Sequence, residues 1–577
     1  MKRYEKTPYL TEQIIPYIGN KRRLLPLIEG AVRLVLEDKS EDFGRKRFLD
    51  LFAGSGIVSR LAKHLGFEVH ANDWEYYSYV LTYAFLCINE KELGGMYSRL
   101  DGLKKAISYL NNLPQPDQED EYIARYFCPR DDSSPDYKTE RLFYTRYNGL
   151  MIDKIRNEIE SIYPEEEVAS NHTLFREKVL LLALLLYQAA THTNTSGVFK
   201  AFHKGFGGHS GDALGRIMKP ISVVYPSLID SNCRMDVYKE DANQLLKRDF
   251  FSENRFDIVY VDPPYNQHQY GSNYHLLNTI ALWDGIPLNK IISIDGEKKN
   301  RAGIRKDWVN TKSDYCYSEK ADSVFEDLIE HVNSRFILIS YSTEGTIPFE
   351  MMIQVCARKG KISLLTNEYV KYRGGRQSLR RLNNNIEFVI IIDTERRSVK
   401  KDIERIDDVI THRKLLLQLK RGYCKSRLKN HFKINEESGC IGYSFNGSAI
   451  WLKTRGFYRI DGERVGKEID GYDLNKKQKM ELKRELIERL LLCECKDKTE
   501  EIDEVIRIID EQGEDAVYFN SLLPDLLKKI CHKKYQELFF QYLEKIRTLQ
   551  ERFPSIYRKI ETKIDALEEL GMKRFYG

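Results

Sequence analysis

The sequence has no apolar stretch long enough to cross a membrane. Its longest apolar run, Val179 to Tyr187, is far shorter than the roughly 20 residues that a transmembrane helix needs. Residues 1–23 are polar, aromatic and basic, whereas a signal peptide has an uninterrupted apolar segment. We therefore expect a cytoplasmic protein with no membrane partner.

Paired cysteine motifs are also absent. The ten cysteines are scattered and form no C-x-x-C pair, so the usual spacing of a zinc site or redox centre is missing. Cys493 and Cys495 are close together but have no second cluster, and His203 and His209 have no matching ligands nearby. We expect reduced thiols and no bound metal.

The sequence contains no phosphate-binding P-loop, no internal repeat and no low-complexity tract. The net charge of +5 neither requires nor excludes a nucleic-acid partner. A hydrophobic fraction of 42% is ordinary for a globular protein, and 577 residues exceed what one core usually supports. We expect two or three folded domains.

Seven short segments rich in β-branched and aromatic residues predict strands. Several are almost continuously apolar, which is typical of parallel strands covered on both faces. Helical patterns lie between many of them, at Arg22 to Leu36, Val58 to Leu65 and Ala321 to Val332, and this alternation predicts a doubly wound α/β sheet. The last two strands lack an intervening helix and predict an antiparallel hairpin at the sheet edge. The strand segments are Arg47 to Phe52, Glu68 to Asn72, Met235 to Lys239, Phe256 to Val261, Phe336 to Tyr341, Lys361 to Glu368 and Ile386 to Ile392.

The alternation divides the chain into three parts. Residues 1–95 and 226–397 carry the sheet pattern and predict the catalytic domain, while residues 96–225 are helical, aromatic and basic. We interpret this middle part as an insertion with its own small core. Residues 398–577 predict a mostly helical accessory domain with a β-hairpin around Asn446 and Gly447. The predicted helices there are Lys476 to Leu492, Glu500 to Glu511, Leu538 to Arg552 and Ser555 to Leu570, with a break at Pro554.

A glycine-rich turn follows the first predicted strand. In Phe48-Leu-Asp-Leu-Phe-Ala-Gly-Ser-Gly56 the two glycines allow a sharp bend and a close approach to a ligand. The next strand ends in Asn72-Asp73-Trp74, where a carboxylate can accept hydrogen bonds from ribose hydroxyls. An adenosine ligand without phosphates fits this pattern, and a dinucleotide remains an alternative on these residues alone.

The segment Phe256-Asp-Ile-Val-Tyr-Val-Asp-Pro-Pro-Tyr265 separates these alternatives. Asp262 ends a strand, and Pro263 and Pro264 stiffen the chain after it. The Asp262 carboxylate and the Pro263 carbonyl could both accept hydrogen bonds from an aromatic amine and stabilise the positive charge that forms during methylation. Tyr265 offers a flat face for an extruded base. A solvent-exposed proline turn would require none of these neighbours.

These residues resemble the Dam-like adenine DNA methyltransferases with motifs in the α order, and within them the modification methylases of type II and IIS restriction systems. The resemblance covers roughly residues 10 to 395. It implies S-adenosylmethionine as cofactor and a Rossmann-like seven-stranded methyltransferase sheet. One departure is the large insertion before Asp241, which leaves the target-recognition element undefined.

The resemblance also implies residue roles. The aspartate form of the catalytic loop implies an adenine target, with Asp262, Pro263, Pro264 and Tyr265 as catalytic residues. Phe336 to Thr343 resemble a strand that walls the target-base pocket. The implied cofactor-binding residues are Tyr17, Gly19, Asn20, Lys21, Asp50, Phe52, Gly54, Gly56, Asp73 and Asp241.

Three basic stretches are candidates for DNA contact. Two lie in the insertion, at Arg141 to Asn148 and Thr191 to Gly211, and the third is the glycine turn Lys371 to Arg381. Each could also be merely a solvated surface. The residues that we predict to bind DNA are Arg141, Arg146, Lys200, Lys204, Arg373, Arg376 and Arg380.

We predict that the protein methylates adenine in double-stranded DNA at specific sites, and that its partner is a restriction endonuclease acting on the same sites. An RNA adenine methyltransferase is the alternative with the same chemistry. A non-catalytic DNA-binding relative is the alternative from another class, and the intact Asp262 and Pro263 argue against it. Residues 398–577 contain no nuclease pattern that we recognise, and we expect them to contact DNA or another protein.

Overall fold

The computed structural model describes residues 4, 6–36, 43–44, 46–114, 116–207, 213–288, 293–294, 297–298, 300–366, 386–462, 465, 469 and 471–576. The chain forms two compact units. The first comprises Met1–Tyr369 and Glu387–Ile403, and the second includes Glu404–Gly577. No helix among the described residues combines the length and hydropathy of a membrane span.

A seven-stranded sheet forms the centre of the first unit, in the order β3-β2-β1-β4-β5-β7-β6. Strand β7 is antiparallel to both of its neighbours, and the other described pairings are parallel. The strand order reverses between β1 and β4, and ligands bind at such switch points in α/β sheets. The seven predicted strands and the edge hairpin are confirmed. The strands are β1 (Arg47–Asp50), β2 (Glu68–Asn72), β3 (Met235–Tyr238), β4 (Phe256–Val261), β5 (Ser334–Ser342), β6 (Lys361–Thr366) and β7 (Glu387–Asp393).

Helices cover both faces of this sheet, so its central strands are buried almost throughout. The α-helices are α1 (Pro8–Thr11), α2 (Leu25–Leu36), α3 (Ile57–His64), α4 (Tyr76–Cys87), α5 (Leu103–Asn111), α6 (Ile123–Phe127), α7 (Arg146–Ile162), α8 (Glu165–Val168), α9 (His172–His192), α10 (Leu214–Met218), α11 (Ala242–Leu246), α12 (Asp249–Glu253), α13 (Tyr270–Asn273), α14 (His275–Leu282), α15 (Ser318–His331) and α16 (Phe349–Lys359). Short 3₁₀ helices lie at Lys21–Arg23, Glu90–Gly95, Ser98–Leu100, Lys306–Thr311 and Asp314–Cys316, and a two-residue strand pair lies at Ser293–Ile294 and Glu297–Lys298.

The helical insertion does not have a core of its own, contrary to our expectation. Its long helix α9 packs against α4, which follows the second strand of the sheet. Leu180 and Leu184 of α9 are fully buried in the same hydrophobic cluster as Val80 and Phe85 of α4. The run Val179 to Tyr187 is apolar on all sides because both the sheet layer and the rest of the insertion cover it. The insertion is thus part of the catalytic unit.

The second unit combines a four-stranded antiparallel sheet with helices. The predicted hairpin is confirmed, with Asn446 and Gly447 both at positive φ in its turn. The predicted helices Lys476 to Leu492 and Glu500 to Glu511 are confirmed with small shifts at their ends, and so is the break at Pro554. The predicted helices Leu538 to Arg552 and Ser555 to Leu570 are each divided in two, after Arg547 and after Tyr557. The strands are Lys433–Asn435, Cys440–Phe445, Ser448–Arg455 and Arg459–Ile460, and the helices are Lys400–Leu419, Lys425–His431, Lys476–Cys493, Lys498–Gln512, Val517–Asn520, Leu523–Ile530, Gln536–Arg547, Leu549–Arg552, Pro554–Tyr557 and Glu561–Tyr576.

Candidate active site

A cavity opens at the carboxyl ends of β1, β2 and β4, next to the point where the strand order reverses. It brings together residues that are up to 298 positions apart in the chain, from Tyr17 to Tyr315. Residues that we predicted from sequence and that line this cavity are Tyr17, Gly19, Asn20, Lys21, Phe52, Gly54, Asp73, Asp241, Asp262, Pro263, Pro264 and Tyr265.

Two glycines allow the segments around this cavity to approach one another. Gly54 has φ +56°, and a Cβ at this position would lie 2.8 Å from the Tyr17 ring. Gly19 has φ +81°, and its Cβ would lie 2.9 Å from the Tyr265 hydroxyl oxygen. A side chain at either position would therefore strain the backbone and clash with an aromatic ring. Gly56, also at positive φ, precedes α3 and is not among the residues that line the cavity.

Asp73 connects the end of β2 to the glycine turn. Its carboxylate accepts hydrogen bonds from the backbone N–H of Gly54 at 2.7 Å and of Glu75 at 2.9 Å. Burial raises the pKa of Asp73, and these backbone donors oppose that rise. Asp73 thus shapes the turn, and it also lines the cavity.

Asp50 occupies a different place from the one that we predicted. It is fully buried beneath the glycine turn and is not among the cavity-lining residues. Its carboxylate accepts a hydrogen bond from the Ser59 hydroxyl of α3 at 2.6 Å. The geometry therefore disagrees with direct cofactor contact by Asp50 and gives it a structural role between β1 and α3.

The catalytic loop places a carboxylate next to an ammonium group. Lys21 Nζ lies 2.9 Å from Asp262 Oδ1, and the Lys21 side chain is only 6% exposed. Burial disfavours the charged form of Lys21, but the carboxylates of Asp262 and Glu387 outweigh this effect, so the pKa of Lys21 is raised. The Lys21 ammonium also lies 5.4 Å from the centre of the Tyr265 ring. Lys21 thus stabilises the negative charge at Asp262.

Tyr265 faces a second aromatic ring from the neighbouring strand. Its ring centre is 6.3 Å from that of Tyr341 on β5, at nearly a right angle. The Tyr341 hydroxyl accepts a hydrogen bond from the Ile347 backbone N–H at 3.1 Å, which fixes the ring. The predicted strand Phe336 to Thr343 thus contributes a side chain beside the catalytic loop.

Two tyrosines after the catalytic loop were missed by the sequence prediction. Tyr274 accepts a hydrogen bond from the Ile18 backbone N–H at 2.7 Å, and its ring stacks on Tyr17 at 4.8 Å. Tyr270 also stacks on Tyr17, with its ring centre 5.3 Å away. These contacts fasten the N-terminal motif to the catalytic loop. The spacing of four residues between the two tyrosines was the available signal, since it places them on one helical face.

Asp241 is the last of the predicted cofactor-binding residues in the chain, and it lines the same cavity. It precedes α11 and accepts a hydrogen bond from the Gln244 N–H at 3.0 Å. Burial raises its pKa. Tyr315 completes this wall, because its hydroxyl donates to Asn243 Oδ1 at 2.8 Å and its ring lies edge-on to Phe52 at 5.4 Å.

Arg141 does not lie at a surface where DNA could contact it, contrary to our expectation. It is 2% exposed, and its guanidinium donates hydrogen bonds to the backbone carbonyls of Tyr126, Asn300 and Arg301. Its neighbour in this arrangement is the ring of Phe127, 5.9 Å away. The alternation of cations and aromatics around Arg141 therefore reflects internal packing.

The other predicted DNA-contacting residues differ in exposure. Lys204 is exposed above the Tyr137 ring at 5.4 Å, and Lys200 is half-buried, which lowers its pKa. Arg146 pairs with Glu121 at 2.6 Å. Arg301 is a further exposed cation that we did not predict, and it lies 5.7 Å from the same Tyr137 ring as Lys204. The candidates Arg373, Arg376 and Arg380 lie outside the described residues.

The seven-stranded sheet carries a glycine turn and an acidic strand end, and an Asp-Pro-Pro-Tyr loop lines the same cavity. This combination defines a methyltransferase of the class that modifies exocyclic amines. The chain belongs to the D12 class N6 adenine-specific DNA methyltransferases, whose family profile matches residues 17–334. It is therefore an adenine-specific DNA methyltransferase.

Individual relatives extend this result. The chain is 33% identical over 380 residues to the type II methyltransferase M.NlaIII of Neisseria lactamica, covering 65% of this chain and 98% of that protein. It is 30% identical over 361 residues to the modification methylase StsI of Streptococcus sanguinis, covering 62% of this chain and 48% of that protein. It is 32% identical over 337 residues to the type II methyltransferase M.FokI of Planomicrobium okeanokoites, covering 57% of this chain and 45% of that protein. The chain thus spans nearly all of the first relative and about half the length of the other two.

Proposed function

We propose that the methyl donor is S-adenosylmethionine, held between the glycine turn and Asp241. The residues fit this group because the positive-φ Gly54 leaves no side chain above Tyr17, and the Asp73 carboxylate on the cavity wall could accept hydrogen bonds from ribose hydroxyls. Tyr17, Gly19 and Phe52 would contact the remaining parts of the molecule. When bound, this cofactor supplies a methyl group on a positively charged sulfur.

The catalytic loop would hold the adenine amine. Asp262 and the carbonyl of Pro263 would accept hydrogen bonds from its two N–H groups, which favours a pyramidal nitrogen and stabilises the positive charge that develops there. Lys21 keeps Asp262 charged and in place. Tyr265, with Tyr341 at its edge, provides the face on which an extruded base stacks. The observation that carries this proposal is the position of Asp262 in the same cavity as the glycine turn.

We further propose that the substrate is double-stranded DNA and that the protein is the modification enzyme of a restriction system. The relatives support this, since they are type II methyltransferases and a modification methylase. Residues 96–225 would recognise the target, and residues 398–577 would form an accessory domain. Lys204 in the insertion and Arg301 outside it would contact phosphates. The partner endonuclease acting on the same sites and the cytoplasmic location stay predictions.

Transfer of a labelled methyl group distinguishes DNA from RNA as the substrate. The purified protein should label duplex DNA from S-adenosylmethionine without added metal, and it should not label RNA of the same sequence. Single-molecule sequencing of plasmid DNA from cells that express the protein should show N6-methyladenine in one short sequence. Modification of RNA alone, or methylated adenine without any sequence preference, would overturn the proposed substrate and role.

A further inference from the structure

The four-stranded sheet of the second unit has one buried face and one exposed face. Ile441 and Tyr443 of its second strand lie in a hydrophobic core. Ile450 and Leu452 of its third strand lie in the same core. Because alternate residues of a strand point to opposite faces, the residues between them form the other face, called the outer face below. The outer-face residues are Lys433, Asn435, Cys440, Gly442, Ser444, Ala449, Trp451, Lys453, Arg455 and Arg459.

Trp451 lies flat on the outer face, over Gly442 of the neighbouring strand. The two residues are directly paired in the sheet. A Cβ at Gly442 would lie 2.6 Å from Cε3 and 2.8 Å from both Cδ2 and Cζ3 of the indole. Three adjacent ring atoms can be this close only to a point above the plane of the ring, so one indole face covers Gly442. Trp451 is 40% exposed, and this exposure is on the side away from the strand.

Cations surround this open ring. Lys433 is paired with Gly442 on the side opposite to Trp451. Lys453 and Arg455 follow Trp451 at alternate positions of its strand. The ring and these two cations therefore form a line about 14 Å long, since a strand rises about 3.4 Å per residue. Four of the ten outer-face residues are cationic and none is acidic.

The contacts of these cations leave their charge in place. Lys453 donates a hydrogen bond to the carbonyl of Ser438, which is a neutral acceptor. The Arg455 guanidinium lies 5.6 Å from the ring centre of Tyr518, which is 46% exposed. A carboxylate, Asp461, follows the last strand, and its backbone N–H donates to the Lys453 carbonyl at 2.9 Å. One carboxylate against four cations leaves the outer face positive.

We propose that the outer face binds single-stranded DNA, with a base stacked on Trp451 and phosphates bound by the cations beside it. Aromatic side chains in a positively charged surface hold single strands in this way without sequence preference. The bases of a duplex are stacked on one another and offer no free face. DNA is the expected strand because the chain belongs to a DNA methyltransferase family. The inference goes beyond the proposed function, since it gives the second unit a nucleic-acid site of its own.

Binding of a fluorescein-labelled oligothymidylate to the full-length protein tests this proposal. A length of about 12 nucleotides is within the usual range for single-strand sites, and fluorescence anisotropy measures the dissociation constant without added cofactor. The oligonucleotide contains no adenine, so it offers the catalytic loop no target base. Trp451→Ala should raise the dissociation constant about tenfold, whereas Trp451→Phe keeps a flat ring and should stay within about threefold of the wild type. Circular dichroism and urea midpoints verify that both variants fold.

The salt dependence of binding tests the cations. Arg455→Gln and Lys433→Gln each remove an exposed cation of the outer face. Each should lower the slope of log K against log salt by about 0.7, the value for one phosphate of a single strand. Lys545→Gln is the control, because Lys545 is an exposed cation 5.6 Å from the Tyr542 ring but belongs to a helix. Its slope should equal that of the wild type.

Methyl transfer separates this site from the proposed function. Trp451→Ala should transfer methyl groups to saturating duplex DNA at the wild-type rate. A wild type that binds the oligothymidylate but transfers no methyl group would contradict the proposed function and support the site.

Other results would overturn the site itself. The wild type could fail to bind the oligothymidylate, Trp451→Ala could bind it as tightly as the wild type, or the control could lose as much as the outer-face variants. Trp451→Ala should leave the affinities for duplex DNA and for polyglutamate unchanged. An equal loss for either of them, or a larger loss for oligouridylate, would show that the outer face binds a different partner.

Discussion

At the scale of single residues, the site depends on charged side chains that are largely buried. Lys21 and Asp262 form an ion pair with side-chain exposures of 6% and 15%. Such a pair contributes little net stability, but removing one partner is costly because the other charge stays behind in a poorly hydrated place. The pair therefore serves to keep a charged acceptor at the end of β4.

Lys21→Met tests this function of the pair. The variant should lose more than about tenfold in methyl transfer and about 3 kcal/mol in the free energy of unfolding, because the Asp262 carboxylate loses its partner. Urea denaturation measures the second effect. The double variant Lys21→Met/Asp262→Asn should regain stability without regaining activity. A single variant as stable and as active as the wild type would contradict the role given to Lys21.

The buried carboxyl group of Asp50 should make the free energy of unfolding depend on pH. Burial raises its pKa to about 7 despite the hydrogen bond from Ser59, whereas an unfolded chain has an aspartate pKa of about 3.9. Between these values the folded protein holds a proton that the unfolded chain has released, so stability should fall as pH rises from about 4 to 7. Glu75 and Asp153, whose pKa values burial also raises to about 7, act in the same direction.

Asp50→Asn isolates the contribution of this one group. The variant keeps the shape of the side chain but binds no proton, so its stability should fall less steeply than that of the wild type between pH 5 and 7. Urea midpoints at both pH values provide the measurement. Parallel curves for the two proteins would show that Asp50 is charged when folded.

At the scale of elements, the loop that follows α9 is held by one buried amide. Asn194 is fully buried, and its Nδ2 donates to the carbonyls of Leu142 at 2.9 Å and Gly205 at 3.2 Å. The exposed Lys204 lies directly before Gly205. The Asn194 amide thus determines the position of Lys204. Asn194 itself is buried and therefore inaccessible to DNA.

Asn194→Ala should therefore weaken DNA binding without removing any group that touches DNA. We expect the salt dependence of binding to decrease, as it should in Lys204→Gln, where the slope of log K against log salt falls by about 1 if Lys204 contacts a phosphate. Arg335→Gln is the control, because Arg335 is also an exposed cation above an aromatic ring, 4.9 Å from Phe336. An unchanged slope in both loop variants, or an equal change in the control, would place the DNA elsewhere.

The sheet was predictable from the sequence, because buried parallel strands have almost continuous apolar runs and each ends at a recognisable turn. The cavity was predictable for the same reason, since β1, β2 and β4 end at one edge and bring Gly54, Asp73 and Asp262 together. The close approach of Glu75 and Thr311 to Gly271 was not predictable, because only the folded backbone produces it.

The insertion shows where local patterns fail. Arg141 and Lys204 both alternate with aromatic residues, yet one is buried and the other exposed. A cation packed on a ring inside the protein can have the same local sequence as one packed on a ring at the surface. Likewise, the apolar run of α9 did not reveal whether it would cover the sheet layer or form a separate core.

At the scale of the whole molecule, each unit has its own hydrophobic cores. The core of the first unit combines the sheet layer and the insertion. The second unit has one cluster around its four-stranded sheet and another among its C-terminal helices. Units with separate cores can unfold in separate steps.

Calorimetry of the full chain should accordingly show two unfolding transitions. A cofactor that binds only the first unit should raise one transition temperature by a few degrees, because a concentration of about 100 times Kd adds about 2.7 kcal/mol to that unit alone. The second transition should not move. A single transition that shifts as a whole would show that the two units unfold together.

Methyl transfer by Asp262→Ala tests the central claim most directly. Labelled S-adenosylmethionine and duplex DNA are supplied to the wild type and the variant, and cofactor binding is titrated in parallel. The wild type should produce N6-methyladenine, whereas the variant should lose at least about 100-fold in transfer. The cofactor affinity of the variant should stay within a few-fold of that of the wild type. Equal transfer by the variant would contradict the mechanism, and so would a loss that is explained entirely by failure to bind the cofactor.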